Sequence, residues 1–158
     1  MDIQKLLQQF MDWFQETTIT KPCKDGFHKI AVPLVDHLND GLEIYIREQN
    51  EQIDITDDGY IIANLEMSGV VLDEGDKREY INSIVRKNGL ELKNDEIWAH
   101  TTADKFPVVL LVVLQTMLAI DNLYDLRFYL RKNEEGQSCV KNRNCSRNEV
   151  DGKQNKRC

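Results

Sequence analysis

The stretch "IDITDDGYIIANLEMSG", from Ile53 to Gly69, decides how this chain folds. Its first residues alternate between apolar and polar, which is the pattern of a half-buried strand. Asp58 and Gly59 then form one of the strongest turn dipeptides, because glycine accepts positive φ and aspartate bonds nearby backbone N–H groups. Beyond the turn we expect a short third strand that passes into a helical turn. Gly69 fits the left-handed position that ends such a helix.

The residues before this stretch predict a helix and two or three strands. Residues 2–16 place apolar side chains at helical spacing, and Asp2 is a suitable N-cap. A strand is expected over residues 27–32, and Pro33 marks it as an edge strand or a strand end because proline lacks the ladder donor. The runs "LEIYIRE" and "QIDIT" alternate on either side of a polar loop, so they predict an antiparallel hairpin.

The residues after it predict a helix, a second hairpin and a longer helix. The run "DEGDKREYINSIVRKNG" has a helical apolar stripe and ends at Gly89, where a C-terminal glycine belongs. The run "LELKNDEIWAHTT" suggests a hairpin that turns at Asn94–Asp95. The longest helix covers residues 103–132 with Pro107 in its first turn. Its N-terminal half is apolar on nearly every side, so we expect it at the centre of the domain.

The order of these elements predicts an α+β fold. Strands cluster without a repeated strand–helix–strand alternation, which favours a small antiparallel sheet packed against the N-terminal, middle and long C-terminal helices. We expect a single domain over residues 1–132. Residues 133–158 are polar, basic and aperiodic, and they predict a disordered tail.

Charge is divided unevenly along the 158 residues. The segment from residue 131 onward has eight basic and four acidic residues. Subtracting these from the totals of 20 and 27 leaves twelve basic and twenty-three acidic residues in 1–130, or about −11. Phosphate contacts need Lys or Arg, so an acidic body argues against direct nucleic-acid binding by the folded part.

Neither a secretory signal nor a membrane span is evident. The most apolar run, from Phe106 to Ile120, is about fifteen residues, short of the roughly 20 that a membrane helix needs. The four cysteines form no CxxC pair and are expected to be reduced thiols in the cytoplasm.

The paired aspartates Asp57 and Asp58 raise the question of a metal or acid–base site. Adjacent residues usually point in different directions, whereas a metal needs converging carboxylates, so a turn is the preferred interpretation. A nuclease remains the alternative. Glu91 and Lys93 have the Glu-x-Lys spacing of many restriction-type nucleases, with Asp57 or Asp58 as the upstream acid.

Other candidate chemistry is weaker. The run "DHLND" offers Asp36, His37 and Asp40 as a metal cluster, but a polar loop explains it as well. No Ser/His/Asp set, phosphate loop or dinucleotide fingerprint is recognised in the sequence. We therefore predict no catalytic residue, no metal ligand and no cofactor.

The aromatic residues do not interleave with basic ones in a way that suggests a base-stacking platform. They are expected in the core, at a self-association surface or at a partner interface. The candidate partner-binding residues are Asp54, Asp57, Asp58, Tyr124, Phe128 and Tyr129.

The chain resembles a known family in three places: the "TDDGY" turn, the "LEMSG" segment and the closing helix "VVLQTMLAIDNLYDL". Together they resemble the domain-of-unknown-function 1828 family over about residues 28–127. That family occurs in bacteria, particularly Gram-positive ones, and in their phages. The resemblance therefore implies a phage or mobile-element context and supplies no reaction. In some relatives a second domain follows, whereas this chain continues into a basic tail.

These observations lead to an expected function. We expect a non-enzymatic protein-binding module of phage or mobile-element type, in particular an anti-CRISPR-like inhibitor. Its acidic surface would face a nucleic-acid-binding host defence complex. The alternatives are a metal-dependent nuclease or nuclease-accessory domain, and a domain that dimerises through its long helix.

Overall fold

The structure, a computed structural model, describes residues 1–72 and 75–126. The chain divides into one compact unit, Met1–Tyr124, and a second, Asp125–Cys158, of which only residues 125 and 126 are described. The first unit has helices and a six-stranded antiparallel sheet, which confirms the α+β class. The predicted tail from residue 133 lies outside the described residues.

The elements follow one another in the order helix, four strands, two helices, two strands, helix. Their bounds are α1 Ile3–Thr17, β1 Ile19–Pro22, β2 His28–Val35, β3 Gly41–Gln49, β4 Gln52–Thr56, α2 Tyr60–Met67, α3 Asp76–Lys87, β5 Glu91–Lys93, β6 Glu96–Thr101 and α4 Phe106–Asp121, with a 3-10 turn at Lys24–Gly26.

The sheet has the strand order β1-β2-β3-β4-β6-β5. Both predicted hairpins are confirmed. Each turns through two residues of positive φ, Asn50 and Glu51 in the first and Asn94 and Asp95 in the second, the backbone shape that tight two-residue hairpins require. Because β6 joins β4, the sheet brings together segments separated by two helices.

Pro33 predicted an edge strand or a strand end, and the first of these alternatives is wrong. An additional strand, β1, pairs with residues 28–31 of β2, so β2 is the second strand of the sheet. Pro33 lies beyond that pairing, in a register shift between Ala31 and Val35. A missing ladder donor is tolerated at such an irregularity.

The predicted strand after the Asp-Gly turn is also wrong, because α2 begins immediately after Gly59. Gly59 has φ 73°, and the Tyr60 N–H donates to the Asp57 carbonyl, so the turn leads directly into the helix. Gly69 has φ 80° just after the helix end, as expected.

One side of the sheet forms the core with α2, α3 and α4. Leu42, Ile44 and Ile55 are fully buried against helix residues that include Leu65 and Met117. Each fully buried aliphatic side chain of this kind stabilises the fold by about 1.5–3 kcal/mol. The intervening residues of the strands point to the opposite side, which we call the outer surface.

Helix α1 contributes little to this core. Asp2 is its N-cap, as predicted, and accepts from the backbone N–H groups of Gln4 and Lys5. The helix has no buried residue, and only Phe14 packs against the core. The expected packing of the sheet against α1 is therefore limited to one side chain.

The prediction that α4 is wholly central is wrong for its outer side. Val113 and Met117 are fully buried, but Val108 and Leu111 are 67% and 52% exposed. Within the described residues, Phe106–Leu126 is long and apolar enough to cross a membrane by length and composition alone. Its buried side chains are those of a core helix, so it does not indicate a membrane span.

Candidate functional site

The outer surface brings aromatic and charged side chains together from β3, β4 and β6. The strand pairing aligns Tyr45 with Thr56 and Thr56 with Trp98 in one row. It aligns Arg47 with Asp54 and Asp54 with His100 in the next. Paired residues of antiparallel strands project to the same side, so the two rows form one surface. The name "outer patch" is used below for Tyr45, Arg47, Asp54, Trp98 and His100.

Asp54 holds the outer patch together. Arg47 Nη2 donates to Asp54 Oδ2 at 2.8 Å, and His100 Nδ1 lies 2.8 Å from Asp54 Oδ1. The hydrogen bond from Arg47 lowers the pKa of Asp54, outweighing the opposite effect of burial, and His100 lowers it further. Arg47 is also held from the side, since its guanidinium lies 4.5 Å from the centroid of the Phe27 ring. Asp54 is therefore a paired carboxylate.

Trp98 is fixed in a similar way. Its Nε1 donates to Glu96 Oε2 at 2.8 Å, and its ring stacks on His100 with a centroid separation of 6.2 Å. The sequence contained a signal for this patch, since alternate residues of each strand lie opposite the buried ones. Only the pairing of β4 with β6 aligns those positions across the sheet.

Asp57 is a buried structural carboxylate. It has no exposed surface, and it accepts from the backbone N–H groups of Ile97, Ile61 and Gly59. Burial raises the pKa of Asp57 to about 6, and these hydrogen bonds oppose the rise. The preference for a turn over a catalytic pair fits this geometry. The suggestion that Asp57 belongs to a partner-facing edge is wrong, because no part of it reaches the surface.

The other candidate partner residues do not form one cluster. Asp58 is exposed at the turn beside Asp57, whereas Tyr124 is half-buried and its ring stacks on His37. Phe128 and Tyr129 lie outside the described residues. Of the four candidates that the structure describes, Asp54 alone lies in the outer patch.

The acidic groups of the nuclease alternative are not gathered around a metal position. Asp57 is enclosed in the core, whereas Glu91 is exposed on the edge strand β5 and paired with Lys93. Among residues 1–72 and 75–126, no group of three or more His, Cys, Asp or Glu side chains could hold a metal ion. The acidic and histidine side chains of the "DHLND" run therefore form no such metal-binding group.

Asp36 instead anchors the β2–β3 loop to α2. Its carboxylate accepts from the N–H groups of Leu38 and Asp40, from the Tyr60 hydroxyl and from Asn64 Nδ2. Burial would raise the pKa of Asp36, but these hydrogen bonds outweigh it and lower the pKa. Burial also raises the pKa of Tyr60, and the hydrogen bond to Asp36 adds to the effect. The β2–β3 loop is therefore a polar loop, which was the preferred interpretation of the sequence, and the buried Asp36 anchors it.

His37, the next residue of the β2–β3 loop, contacts one side chain at the end of α4 and one at the end of α2. Its Nδ1 lies 2.6 Å from Asp121 Oδ1 at the end of α4, and its Nε2 lies 2.7 Å from Ser68 Oγ at the end of α2. The His37 side chain is only 4% exposed, and the Tyr124 ring stacks on it with centroids 4.2 Å apart. These are the contacts of a Ser-His-Asp triad.

The expectation from the sequence that the chain has no Ser/His/Asp set is therefore wrong, because these three side chains are in contact. His37 lies 31 residues from Ser68 and 84 residues from Asp121, so no local motif could reveal the set. Tyr60 and Asn64 lie four residues apart in α2, and Ser68, its C-cap, follows at the same interval, so this spacing was the available signal. It places three polar side chains on one side of a mainly apolar helix.

The surroundings of Ser68 favour a structural role for the triad-like set. Acyl transfer needs N–H donors aimed at the developing oxyanion. Ser68 is the C-cap of α2, where the helix presents carbonyl groups and the negative end of its dipole. The N–H groups of Ser68, Gly69 and Val70 bond to helix carbonyls instead. The set thus ties the β2–β3 loop, α2 and α4 together.

Comparison with known proteins places the chain in a family. No curated protein and no solved structure matches it. The family model "Domain of unknown function DUF1828" matches residues 32–120, which is more than half of the chain and runs from the second half of β2 into the last turn of α4. The match contains Asp36, His37, Ser68 and the outer patch. The chain belongs to the DUF1828 family.

Proposed function

We propose that this protein is a protein-binding module without a catalytic role, and that the outer patch is its partner surface. The observation that carries the proposal is the pair of in-register rows on the outer surface. They place one tyrosine, one tryptophan and one arginine, residue types enriched at binding hot spots, within three adjacent strands.

The outer patch is held in position before any partner binds. Arg47 and His100 are fixed by Asp54, and Trp98 is fixed by Glu96. Ordering a free long side chain on binding costs about 0.5–1.5 kcal/mol. Side chains already held by hydrogen bonds avoid much of that cost, so the patch is suited to a specific protein contact.

Charge on the outer surface favours a protein over a nucleic acid. Three of the cations on the outer surface are already paired with carboxylates of the same surface. The pairs are Lys29–Glu43, Arg47–Asp54 and Lys93–Glu91. A phosphate backbone would have to displace each carboxylate, whereas a protein partner can use the aromatic rings and leave the pairs intact.

The finer proposal is an inhibitor encoded by a phage or mobile element that occupies a nucleic-acid-binding host defence complex. Its support is the charge of about −11 over residues 1–130, from twelve basic and twenty-three acidic residues. Such a charge speeds association with a basic groove. In this proposal the outer patch would make the specific contact, and the overall negative charge would steer the protein toward the basic groove.

Site-specific crosslinking tests the partner surface. A photo-crosslinking side chain at Gln52, on the outer surface beside the patch, is compared with one at Gln9 on α1. In lysate of the native host, we expect one protein to crosslink saturably at Gln52 and not at Gln9. Trp98→Ala should weaken binding of that protein about 30-fold, which corresponds to 2 kcal/mol.

Salt titration tests the finer proposal separately. The affinity of the captured protein should fall steeply between 50 and 500 mM NaCl if charge steers the encounter. Absence of any saturable partner at low salt, or equal crosslinking at Gln9 and Gln52, would refute the outer patch as the partner surface. A partner whose affinity does not depend on salt would refute only the finer proposal of an acidic inhibitor that occupies a nucleic-acid-binding complex.

A further inference from the structure

A groove opens in the sheet where β1 stops pairing with β2. Strand β1 pairs with residues 28–31, so among the described residues the rest of β2, up to Val35, has no strand on that side. The groove has a volume of about 510 Å³, a size that accommodates the side chains of a short peptide segment. It is called the β2 groove here, and the residues that define it are Ile19, Pro33, Val35, Asp40, Glu43 and Tyr60.

The side walls of the β2 groove are apolar and unfilled. Ile19 and Val35 are 55% and 51% exposed, although both are large aliphatic side chains. Pro33, between them on the wall, has no N–H to offer an added strand, which disfavours a partner that extends the sheet at this edge. The groove therefore suits an inserted side chain better than an added strand.

The rim of the β2 groove is acidic. Asp40 and Glu43 both line it, and no Lys or Arg of the described part of the chain does. Glu43 is paired with Lys29, whereas Asp40 is exposed and its carboxylate accepts no hydrogen bond from the described residues. Carboxylates on a concave surface attract a cation, so the charge of the groove selects a basic occupant.

Tyr60 adds an aromatic surface that is fixed in place. Its hydroxyl donates to Asp36 Oδ2 at 2.8 Å, which holds the side chain in the wall of the groove. A planar guanidinium can stack on an aromatic ring and pair with carboxylates at the same time, and it is more weakly hydrated than an ammonium group. Its aliphatic stem can lie along apolar walls. The combination of walls, rim and ring thus fits arginine better than lysine.

We infer that the β2 groove receives an arginine side chain of the partner protein, with the guanidinium beside Asp40 and Glu43. This inference rests on the proposed function and adds a second contact to it. Glu43 and Tyr45 lie two residues apart on β3 and project to the same side of the sheet, so the groove begins next to the outer patch. A partner with a basic surface can reach both at once.

A pair of peptides tests the arginine site without the partner. The probe is acetyl-Leu-Arg-Leu-amide, and the matched control carries citrulline, the neutral analogue of arginine, in place of arginine. In an NMR titration of the full chain up to about 10 mM peptide, we expect the amide shifts to concentrate in residues 31–35 and 40–43. The arginine peptide should bind about tenfold more tightly, since citrulline loses the ion pairs with two partly exposed carboxylates.

Variants of single carboxylates locate the contact. Asp40→Asn should weaken the arginine peptide about threefold and leave the citrulline peptide unchanged, because only the charged peptide uses the pair. Glu51→Gln, in the turn at the opposite end of β3, removes the same charge and should change either affinity by less than about 1.5-fold. Both positions are exposed, so the fold should tolerate each substitution, and circular dichroism checks this.

Two results with the peptides would overturn the inference and leave the outer patch standing. They are equal binding of the arginine and citrulline peptides, and an Asp40→Asn variant that binds the arginine peptide as the native chain does. Trp98→Ala should not change peptide binding. Binding of the arginine peptide by a chain that crosslinks no partner at Gln52 would support the arginine site and refute the outer patch.

The basic segment of residues 131–158 is the competing occupant, because it also contains arginine. Removing it should change the affinity for the arginine peptide by less than about twofold at physiological salt, where charges more than a Debye length away are largely screened. A rise of more than about fivefold would assign the β2 groove to the chain's own segment and overturn the assignment to a partner.

Discussion

Two adjacent aspartates at one turn take opposite roles because of where their side chains point. Asp57 enters the core and accepts three backbone N–H groups, whereas Asp58 faces water. The sequence predicts the turn at this position, since Asp-Gly favours it. It could not predict that Asp57 would also bond Ile97 N–H, forty residues away, because that contact depends on the pairing of β4 with β6.

The pKa of Asp57 gives a prediction for stability against pH. Its folded pKa of about 6 is above the ordinary 3.8, so the protonated form is favoured by folding. Stability from this group is fully present below pH 3.8 and is lost as pH rises through 6. From pH 4 to pH 7 the loss should be about 2–3 kcal/mol, since each pKa unit is worth 1.36 kcal/mol.

Chemical unfolding at several pH values measures this effect. Asp57→Asn cannot ionise, so the native stability minus that of the variant should fall as pH rises from 4 to 7. Asp58→Asn, at the exposed neighbour, is the control and should run parallel to the native chain. Parallel curves for Asp57→Asn as well would show that Asp57 does not titrate in this range.

His37 is expected to be a strong determinant of stability. His37→Ala leaves the Asp121 carboxylate, 10% exposed, without its partner, and breaking a buried pair costs about 3–5 kcal/mol. The urea midpoint should fall accordingly. His28→Ala, at an exposed position on β2, should change it by less than about 0.5 kcal/mol. Similar losses for both variants would contradict the structural role of His37.

The Ser68 hydroxyl is expected to be unreactive despite its contact with His37. The N–H groups of Ser68, Gly69 and Val70 are engaged in closing α2, so none of these three is free to stabilise an oxyanion. A fluorophosphonate probe should leave Ser68 unmodified, with chymotrypsin as the positive control and mass spectrometry as the readout. Labelling that disappears in His37→Ala would instead establish a serine nucleophile.

At the level of elements, local signals predicted some boundaries and missed others. The turn at Asn94–Asp95 and the glycine after α2 were predictable because short-range backbone chemistry dictates them. Helix α2 was mistaken in part for a strand, because its apolar run has no helical period of its own. Strand β1 was missed because "ITKP" is fully exposed and therefore shows no alternation of buried residues.

Asp36 is expected to control the order of the β2–β3 loop and its contact with α2. Asp36→Ala removes the acceptor for four donors at once. The Tyr60 hydroxyl and the Asn64 amide are among the donors that lose this hydrogen bond. Leaving such groups unsatisfied costs about 1–3 kcal/mol each, so a total loss of at least 2 kcal/mol is expected.

Hydrogen exchange locates the damage from this substitution. Amide protection should fall in residues 36–41 and at the start of α2, and remain unchanged in the β5–β6 hairpin. Asp40→Ala is the matched loop control, because its side chain makes no hydrogen bond among the described residues beyond its backbone. A uniform loss of protection across the unit would mean that Asp36 stabilises the whole fold and does not act as a local anchor.

For the whole molecule, the acidic and the basic charges are concentrated in different parts of the chain. The described core residues lie at or before Tyr124, in the acidic part, whereas eight of the twenty basic residues lie from residue 131 onward. Net charge was readable from the sequence because it needs no contacts. The location of the outer patch was not, because the patch combines residues from strands that are distant in the sequence.

Removing residues 131–158 should therefore change charge without changing the fold. The net charge moves from −7 to about −11, because eight basic and four acidic residues are lost. The thermal midpoint should stay within about 3 °C, since none of the core side chains that the structure describes is removed. The shortened chain should elute later from an anion exchanger. Its association rate with the proposed basic partner should rise at low salt and converge with that of the full chain above 0.5 M NaCl.

A large drop in thermal midpoint would show that the C-terminal segment supports the fold. A slower association at low salt would show that the basic segment itself contacts the partner, which the charge argument does not allow.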